Sequence, residues 1–387
     1  MALRIYRVIR WPLLIVTWLL LIALSGQILT SPDILRHDDF VEYWAAGRLN
    51  AEGHNPYDPA ELLPLERAAG RPTEVAVMMW NPPWTLALAM PFGMVPYPIA
   101  RALWFLTMFL ILAKSFEQIG RALHPGHNPL WFWLLGFAFE PPLEGLRTGQ
   151  ISPLLLAGAV GVWTLIYQRP MLAGAMAVLL TVKPHASYLI LLALALWTVD
   201  QRRWEFFLGF LGGLGGSLAI AMLFNPSVIG HYLHAWRNYP PVDWATATPG
   251  GILRFYLGIE RFELQFVSAA VGILWFALHW LRHRSCWDWR RELPLLAVIS
   301  PVTAAYGWTS DLVLTQLGLI PAVFRILLRS GSTTPQIARL GLLGAWLLIN
   351  GVTFATSWNQ LWYFWFGPSL LLWYVIAQKW LAWGRGE

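Results

Sequence analysis

The sequence predicts an all-α, polytopic integral membrane protein. Of its 387 residues, 57% are hydrophobic and only 12% are charged, whereas about 25% of the residues in a soluble domain are charged. The mean hydropathy is +0.51, and the 25 tryptophans suit a chain with long membrane–water boundaries, where Trp is enriched. No segment is long and polar enough to form a soluble domain, so we predict a single membrane domain over residues 1–387.

Apolar runs of about 20 residues, the length that crosses a bilayer, predict about twelve transmembrane helices. One run is long enough to be a broken crossing, because Lys183-Pro184 lies inside it and proline interrupts helices. The predicted spans are 11–29, 82–97, 99–117, 130–146, 148–167, 171–199, 204–224, 264–281, 293–309, 311–328, 340–358 and 362–381.

The distribution of basic residues predicts the orientation, because Lys and Arg accumulate on the cytoplasmic side. Arginines precede the first span and basic residues follow the last one, so both termini are expected in the cytoplasm of a cell-membrane protein. The acidic loop 30–80 and the charge-balanced loop 225–263 are then expected outside. The net charge of +6 is scattered among loops, which argues against nucleic acid as a partner.

The start of the chain has an alternative interpretation. Ala23-Leu24-Ser25 resembles a small-residue cleavage site after an apolar stretch, and a cleaved signal peptide would remove the first span. The single cysteine, Cys286, excludes an intrachain disulfide framework.

An acidic pair, Asp38 and Asp39, directly follows the first span. The apolar and small residues after it recur at helical spacing and predict a short outer helix over 39–49, with Asp39 near its N-terminus. Helix capping alone would explain an Asp there, since a cap stabilises by about 1 kcal/mol. Two adjacent acids at a membrane boundary, however, need water or a cavity to avoid the cost of desolvation. The loop is therefore a candidate catalytic loop.

Further along the chain, Lys183 lies inside a hydrophobic segment, and an intramembrane charge is a functional candidate. A lysine point charge suits a phosphate group, whereas snorkelling from a helix end is the structural alternative. Asp311 could either cap the following helix or join a polar cavity. The sequence has no cluster with metal-ligand spacing and no phosphate-binding glycine loop, so no metal or cofactor is expected.

Five short motifs, taken in order, resemble glycosyltransferase family 87 of the multispanning GT-C class. They are Asp39-Phe40-x-x-Tyr43-x-Ala45-Ala46 with Asn55-Pro56-Tyr57-Asp58, then Asn81-Pro82-Pro83, Gly149-Gln150, Lys183-Pro184, and Ser300-Pro301 with Tyr306 and Asp311. The chain differs from some relatives at Trp308-Thr309-Ser310-Asp311, which lacks a histidine, and at His185, where relatives often have glutamine. The resemblance covers about residues 10–330.

The resemblance implies a transferase that moves a hexose, mannose in some members, from a polyprenyl-phosphate donor to a lipid or glycan acceptor. Membrane lipids are the other expected partners. Asp39 matches the family's base, and its neighbour Asp38 is the second candidate for that role. The other expected site residues are substrate-binding ones: Tyr43, Arg147, Gln150, Lys183, His185 and Asp311.

The chemistry suits this assignment. A polyprenyl phosphate leaves as a stable anion, so the reaction needs a base for the acceptor hydroxyl and positive charge near the phosphate. One base on the face opposite the leaving group gives a single displacement with inversion, by analogy with inverting glycosidases. The alternatives are a transporter or flippase of a lipid or sugar, although no inverted repeat is evident, and a non-catalytic scaffold.

Overall fold

The computed structural model describes residues 38–72, 74–126, 128–328, 336–356 and 359–383. In this part of the chain the structure is all-helical, with 78% of residues in helices, 17 α-helices and no β-strand. The predicted all-α class is therefore confirmed. The first predicted span, 11–29, and the alternative cleavage site lie outside the described residues.

The helices follow one another with short connections, several of which are 3₁₀ turns. In chain order they are α1 (Phe40–Ala51), α2 (Pro59–Ala68), α3 (Leu86–Gly93), α4 (Tyr97–Leu123), α5 (Pro129–Phe137), α6 (Glu140–Thr148), α7 (Pro153–Leu165), α8 (Pro170–Ala177), α9 (Pro184–Asp200), α10 (Trp204–Phe224), α11 (Val228–Asn238), α12 (Pro249–Leu257), α13 (Val267–His283), α14 (Trp289–Val302), α15 (Gln316–Leu328), α16 (Gln336–Ala355) and α17 (Phe366–Trp383).

Five helical segments are long and apolar enough to cross a membrane, judged by length and composition among the described residues. They are Tyr97–Leu123, Trp204–Phe224, Phe262–Cys286, Thr309–Leu328 and Gln336–Ala355. The chain is thus a membrane protein with several apolar helices, and the predicted count of twelve spans is not confirmed.

Three of the predicted spans are shorter or broken in the structure. The run 82–97 forms only a 3₁₀ turn and the eight-residue helix α3, which covers about 12 Å of a hydrocarbon core about 30 Å thick. The run 130–146 breaks between α5 and α6, where Pro141 and Pro142 lack the N–H groups that would continue a helix. The run 171–199 divides at Lys183, as the Lys183-Pro184 pair suggested.

The short helix α1 packs tightly against α3. A Cβ atom on Gly47 would lie 2.7 Å from the backbone carbon of Ala89, so the two backbones approach as closely as small residues allow. The Trp44 indole N–H also donates to the carbonyl of Val95, at 2.9 Å. A helix therefore exists where the sequence predicted one over 39–49, and it is buried among its neighbours.

Candidate active site

The two adjacent acids have different surroundings. Asp38 has no exposed surface, and its Oδ1 lies 2.9 Å from the Arg101 Nε. Its Oδ2 accepts a hydrogen bond from the Tyr97 hydroxyl. Because both partners lie in the first turns of α4, Asp38 fastens the start of α1 to the start of that helix.

Asp39 occupies the N-cap position of α1 but makes no side-chain capping hydrogen bond to it. Its Oδ2 instead accepts a hydrogen bond from the Gln150 Nε2, at 2.6 Å. The Arg71 Nη1 lies 3.9 Å from its Oδ1, and the Asp39 side chain is 32% exposed. The capping alternative for Asp39 is therefore wrong, and its carboxylate is turned toward other groups.

A chain of hydrogen bonds runs inward from Asp39 through Gln150 and Lys183. The Gln150 Oε1 accepts from the Lys183 Nζ at 2.6 Å and from the Tyr43 hydroxyl at 3.3 Å. The Lys183 Nζ also lies 2.7 Å from the Asp311 Oδ1 and 3.2 Å from the Ser152 Oγ. Five of the eight residues selected from the sequence are thus joined into one polar chain.

Asp311 lies at the inner end of this chain and is 1% exposed. Its Oδ2 accepts a hydrogen bond from the Trp308 backbone N–H at 3.0 Å, across one 3₁₀ turn. Both alternatives predicted for Asp311 therefore apply, because it caps a helical turn and also belongs to the polar network. Its second oxygen is the counter-ion of Lys183.

A left-handed glycine sets Gln150 beside the acidic pair. Gly149 ends α6 with φ +71°, a conformation that costs little only for glycine. A Cβ atom there would lie 2.6 Å from both the Asp38 Oδ1 and the Phe40 Cβ. The Gly149 carbonyl accepts a hydrogen bond from the Trp104 indole, at 2.8 Å.

The Asn81-Pro82-Pro83 motif holds the segment that carries Lys183. The Asn81 Nδ2 donates to the Val182 carbonyl at 2.7 Å, and the Trp84 indole donates to the Thr181 Oγ1 at 2.9 Å. The Tyr57 hydroxyl donates in turn to the Asn81 carbonyl, at 3.1 Å. Hydrogen bonds of the motif thus connect the loop before α2 to the break between α8 and α9.

Two cavities meet at Asp39. The first, which we call the aromatic cavity, has a volume of about 500 Å³. The second, which we call the polar chamber, has a volume of about 810 Å³. Five residues line both of them: Asp39, Gln150, Asp243, Trp244 and Trp308. A group on Asp39 can therefore reach a molecule in either space.

The aromatic cavity is walled mainly by rings that contact one another. Their centroids lie 5.7–6.4 Å apart, and most pairs meet edge to face. The rings belong to Trp80, Tyr232, Trp236, Trp244, Tyr306 and Trp308. Lys183 and His185 also line this cavity.

The remaining sequence-selected residues are more exposed. The His185 Nε2 lies 3.9 Å from the Asp311 Oδ2, and its side chain is 32% exposed. The Arg147 side chain is 60% exposed and pairs with Glu144, at 2.7 Å between Nη2 and Oε2. Arg147 lines the polar chamber, whereas Lys183 lines the aromatic cavity.

The sequence did not single out Arg71 or Glu42. Arg71 lines the polar chamber and also donates to the Asp38 carbonyl. Glu42 lies one helical turn after Asp39 and lines the aromatic cavity. Burial raises the pKa of the Glu42 carboxyl well above its usual range, and the nearby Asp39 charge raises it further. The i, i+3 spacing from Asp39 was the signal for Glu42, whereas nothing in the sequence marked Arg71.

Comparison with known proteins identifies the family of this chain. The model of glycosyltransferase family 87 matches residues 80–301, which is more than half of the sequence. The chain belongs to glycosyltransferase family 87. No curated protein matches the chain, and no solved structure does.

Family membership implies glycosyltransferase activity in a membrane protein, with a sugar donor and an acceptor. The matched segment contains Gln150 and Lys183. Asp39 precedes this segment and Asp311 follows it. The hydrogen-bonded chain therefore joins residues within the matched segment to residues on either side of it.

Proposed function

We propose that this family 87 protein transfers a hexose from a polyprenyl-phosphate donor to a lipid or glycan acceptor at the outer face of the cell membrane. Asp39 is the general base, and the reaction inverts the anomeric centre. The observation that carries the proposal is the position of Asp39. Its carboxylate borders both cavities while Gln150 holds it by a hydrogen bond of 2.6 Å.

The step is a single displacement. An acceptor hydroxyl attacks the anomeric carbon while its proton passes to the Asp39 carboxylate. The bond between that carbon and the phosphate oxygen breaks, and the polyprenyl phosphate leaves with the electron pair. Attack opposite the leaving group inverts the configuration, and the product side holds a glycoside, a phosphate anion and protonated Asp39.

The donor is assigned to the aromatic cavity. Its rings and apolar side chains suit a prenyl segment and the apolar face of a sugar. Lys183 places an ammonium group on its wall, and His185 places an imidazole there. Lys183 already has three partners, so it supplies a fixed positive charge rather than a mobile side chain. His185 is the more exposed of the two and is the group available to contact the phosphate directly.

Family membership favours the transferase over the transporter and scaffold alternatives. The direct test is incubation of purified protein with a panel of polyprenyl-phosphate sugars and, separately, nucleotide sugars. We expect donor consumption with a lipid-linked sugar only. Efficient transfer from a nucleotide sugar, with none from any lipid-linked sugar, would refute the donor assignment.

Asp39→Asn is expected to abolish transfer while the protein keeps its fold. The loss of a general base lowers turnover by about 10²–10⁴-fold, and an amide at this site cannot take up the acceptor proton. Turnover with a lipid-linked sugar and the thermal unfolding midpoint are the two measurements.

Asp38→Asn is the matched control, because it changes the neighbouring acid in the same way. It leaves Arg101 without its buried carboxylate, and breaking a buried ion pair typically costs about 3–5 kcal/mol. We therefore expect lower stability in Asp38→Asn and a chemical defect in Asp39→Asn. The reverse pattern would make Asp38 the base, and near-normal turnover in both variants would refute the mechanism.

A further inference from the structure

Part of the wall of the polar chamber is formed by residues outside the segment that the family model matches. Its lining includes Thr353, Thr356, Asn359, Gln360 and Tyr363, which lie at the end of α16 and in the turn before α17. All of them follow residue 301, where the match ends. Their hydroxyl and amide groups give this wall a hydrogen-bonding surface.

Two buried polar atoms on the chamber wall have no hydrogen-bond partner within the described part of the chain. They are the Glu140 Oε2 and the Ser310 Oγ. Glu140 is 7% exposed and Ser310 is 1% exposed. A buried polar group without a partner costs about 1–3 kcal/mol, so the position of two such groups on one cavity points to a ligand that satisfies them.

The composition of the wall selects the ligand's chemistry. Glu140, Glu144 and Asp243 bring carboxyl groups to the chamber, and carboxyl oxygens accept hydrogen bonds from hydroxyl groups. The Asp243 carboxylate disfavours a phosphate, and the charge of Arg147 is already paired with Glu144. A volume of about 810 Å³ lies within the range of about 300–1,000 Å³ that accommodates a drug-sized ligand.

We infer that the polar chamber binds the polyhydroxylated glycan end of the acceptor, and that the lining residues within 353–356 and 359–363 help to determine which glycan is accepted. The direction of transfer rests on the proposed function, but glycan binding does not. Asp39 lines both cavities, so a hydroxyl of a glycan held in the chamber can reach the base while the donor occupies the aromatic cavity.

Direct binding tests this assignment without requiring turnover. Saturation-transfer NMR on the full-length protein would measure binding of methyl mannoside, methyl glucoside and mannotriose, with farnesyl phosphate as the lipid probe. Thr353→Phe places a ring in the chamber, and Ser310→Ala removes a hydroxyl that makes no hydrogen bond to any described residue. Leu348→Phe is the matched control, because Leu348 is on α16 and is 67% exposed.

We expect the wild type and Leu348→Phe to bind mannotriose more tightly than the monosaccharides. Thr353→Phe should weaken oligosaccharide binding at least tenfold and Ser310→Ala about threefold, while farnesyl phosphate binding is unchanged. If Thr353→Phe fails to fold, Ser310→Ala still decides the question. The inference is overturned if the wild type binds no oligosaccharide, if neither variant weakens binding, or if the variants weaken farnesyl phosphate binding alone.

Transfer assays separate this inference from the proposed function. Oligosaccharide binding that depends on Ser310 supports the chamber assignment even if no polyprenyl-phosphate sugar is a donor. Conversely, transfer from such a donor with an unchanged acceptor KM in Ser310→Ala and Thr353→Phe would support the proposed function and overturn the chamber assignment.

Discussion

Gln150 has only one orientation that satisfies its neighbours. Its carbonyl oxygen accepts from Lys183 and Tyr43, which have hydrogens to donate, and its NH₂ group donates to Asp39. A side-chain amide has both kinds of group, whereas a glutamate would bring two carboxylates together. Gln150 therefore acts as a positioning residue for Asp39, and Lys183 positions Gln150 in turn.

Lys183→Met is expected to damage both stability and turnover. It leaves Asp311 as an unpaired buried charge, at a typical cost of about 3–5 kcal/mol, and it removes a donor from Gln150. Thermal unfolding and turnover with a lipid-linked donor, measured on the same preparations, separate the two effects.

The double variant Lys183→Met with Asp311→Asn is the control for charge. We expect it to recover most of the stability, because no unpaired ion remains, and to stay deficient in turnover. A single variant as stable as the wild type would contradict the ion-pair argument. A fully active double variant would remove Lys183 from the site.

Among single residues, the sequence selected several side chains that the structure brings together, while their roles stay predictions. Tyr43, Gln150, Lys183 and Asp311 were selected by motif and by intramembrane charge, and the structure joins them to Asp39. The difference between Asp38 and Asp39 could not be predicted. Adjacent residues at a helix start point in different directions, and which of them meets Arg101 depends on the packing of α1 against α4.

Among the elements, the segment that follows α2 depends on a buried carboxyl group. Glu66 has no exposed surface, and its two oxygens accept from the Val77 backbone N–H at 3.1 and 3.0 Å. Burial raises the pKa of this carboxyl from 4.5 to about 7. Glu66 therefore links α2 to the segment that precedes the Asn81-Pro82-Pro83 motif.

This link is expected to weaken as the pH rises. Since the pKa is higher in the folded state, the folded protein binds the proton more tightly than the unfolded chain. The stabilisation is complete below about pH 4.5 and is lost as the pH rises through about 7. The difference in pKa corresponds to about 3 kcal/mol. Hydrogen exchange of residues 75–79, corrected for intrinsic rates, should show less protection at pH 8 than at pH 6.

Glu66→Gln is expected to remove this pH dependence, because a neutral amide can still accept from Val77. Glu74→Gln, an exposed acid of the same segment, should leave it unchanged. Equal protection at both pH values in the wild type would contradict the assignment to Glu66.

The sequence predicted helices better than their breaks. Hydropathy counts apolar residues, and the runs 82–97 and 130–146 have enough of them. Hydropathy does not register that Pro141 and Pro142, in the first turn of α6, prevent α5 from continuing, or that a short helix such as α3 packs against α1. The helix α10 matched the predicted 204–224 because its interior contains no proline.

For the whole molecule, the orientation in the membrane is the main prediction. We expect both termini in the cytoplasm and the acidic loop outside, because of the distribution of arginines. A cysteine introduced at the exposed position Ala60 of a Cys286→Ser protein should react with a membrane-impermeant maleimide on intact cells.

The native Cys286 provides the opposite label. It is exposed and, in the predicted topology, it lies in a cytoplasmic loop, so it should react only after the cells are opened. Protection of position 60 together with labelling of Cys286 on intact cells would invert the orientation.

The wall of the aromatic cavity has an optical consequence. Trp80, Trp236, Trp244 and Trp308 face one space, and indole fluorescence shifts to shorter wavelength when water around the ring is replaced by hydrocarbon. Binding of a ligand with an isoprenoid tail should therefore cause a blue shift in tryptophan emission, which can be measured without an added dye. Among the tryptophans of the described residues, these four line the cavity, so the shift is a difference signal, and Trp236→Phe would reduce it in proportion. The same rings that would hold the lipid can thus be used to time its entry and departure.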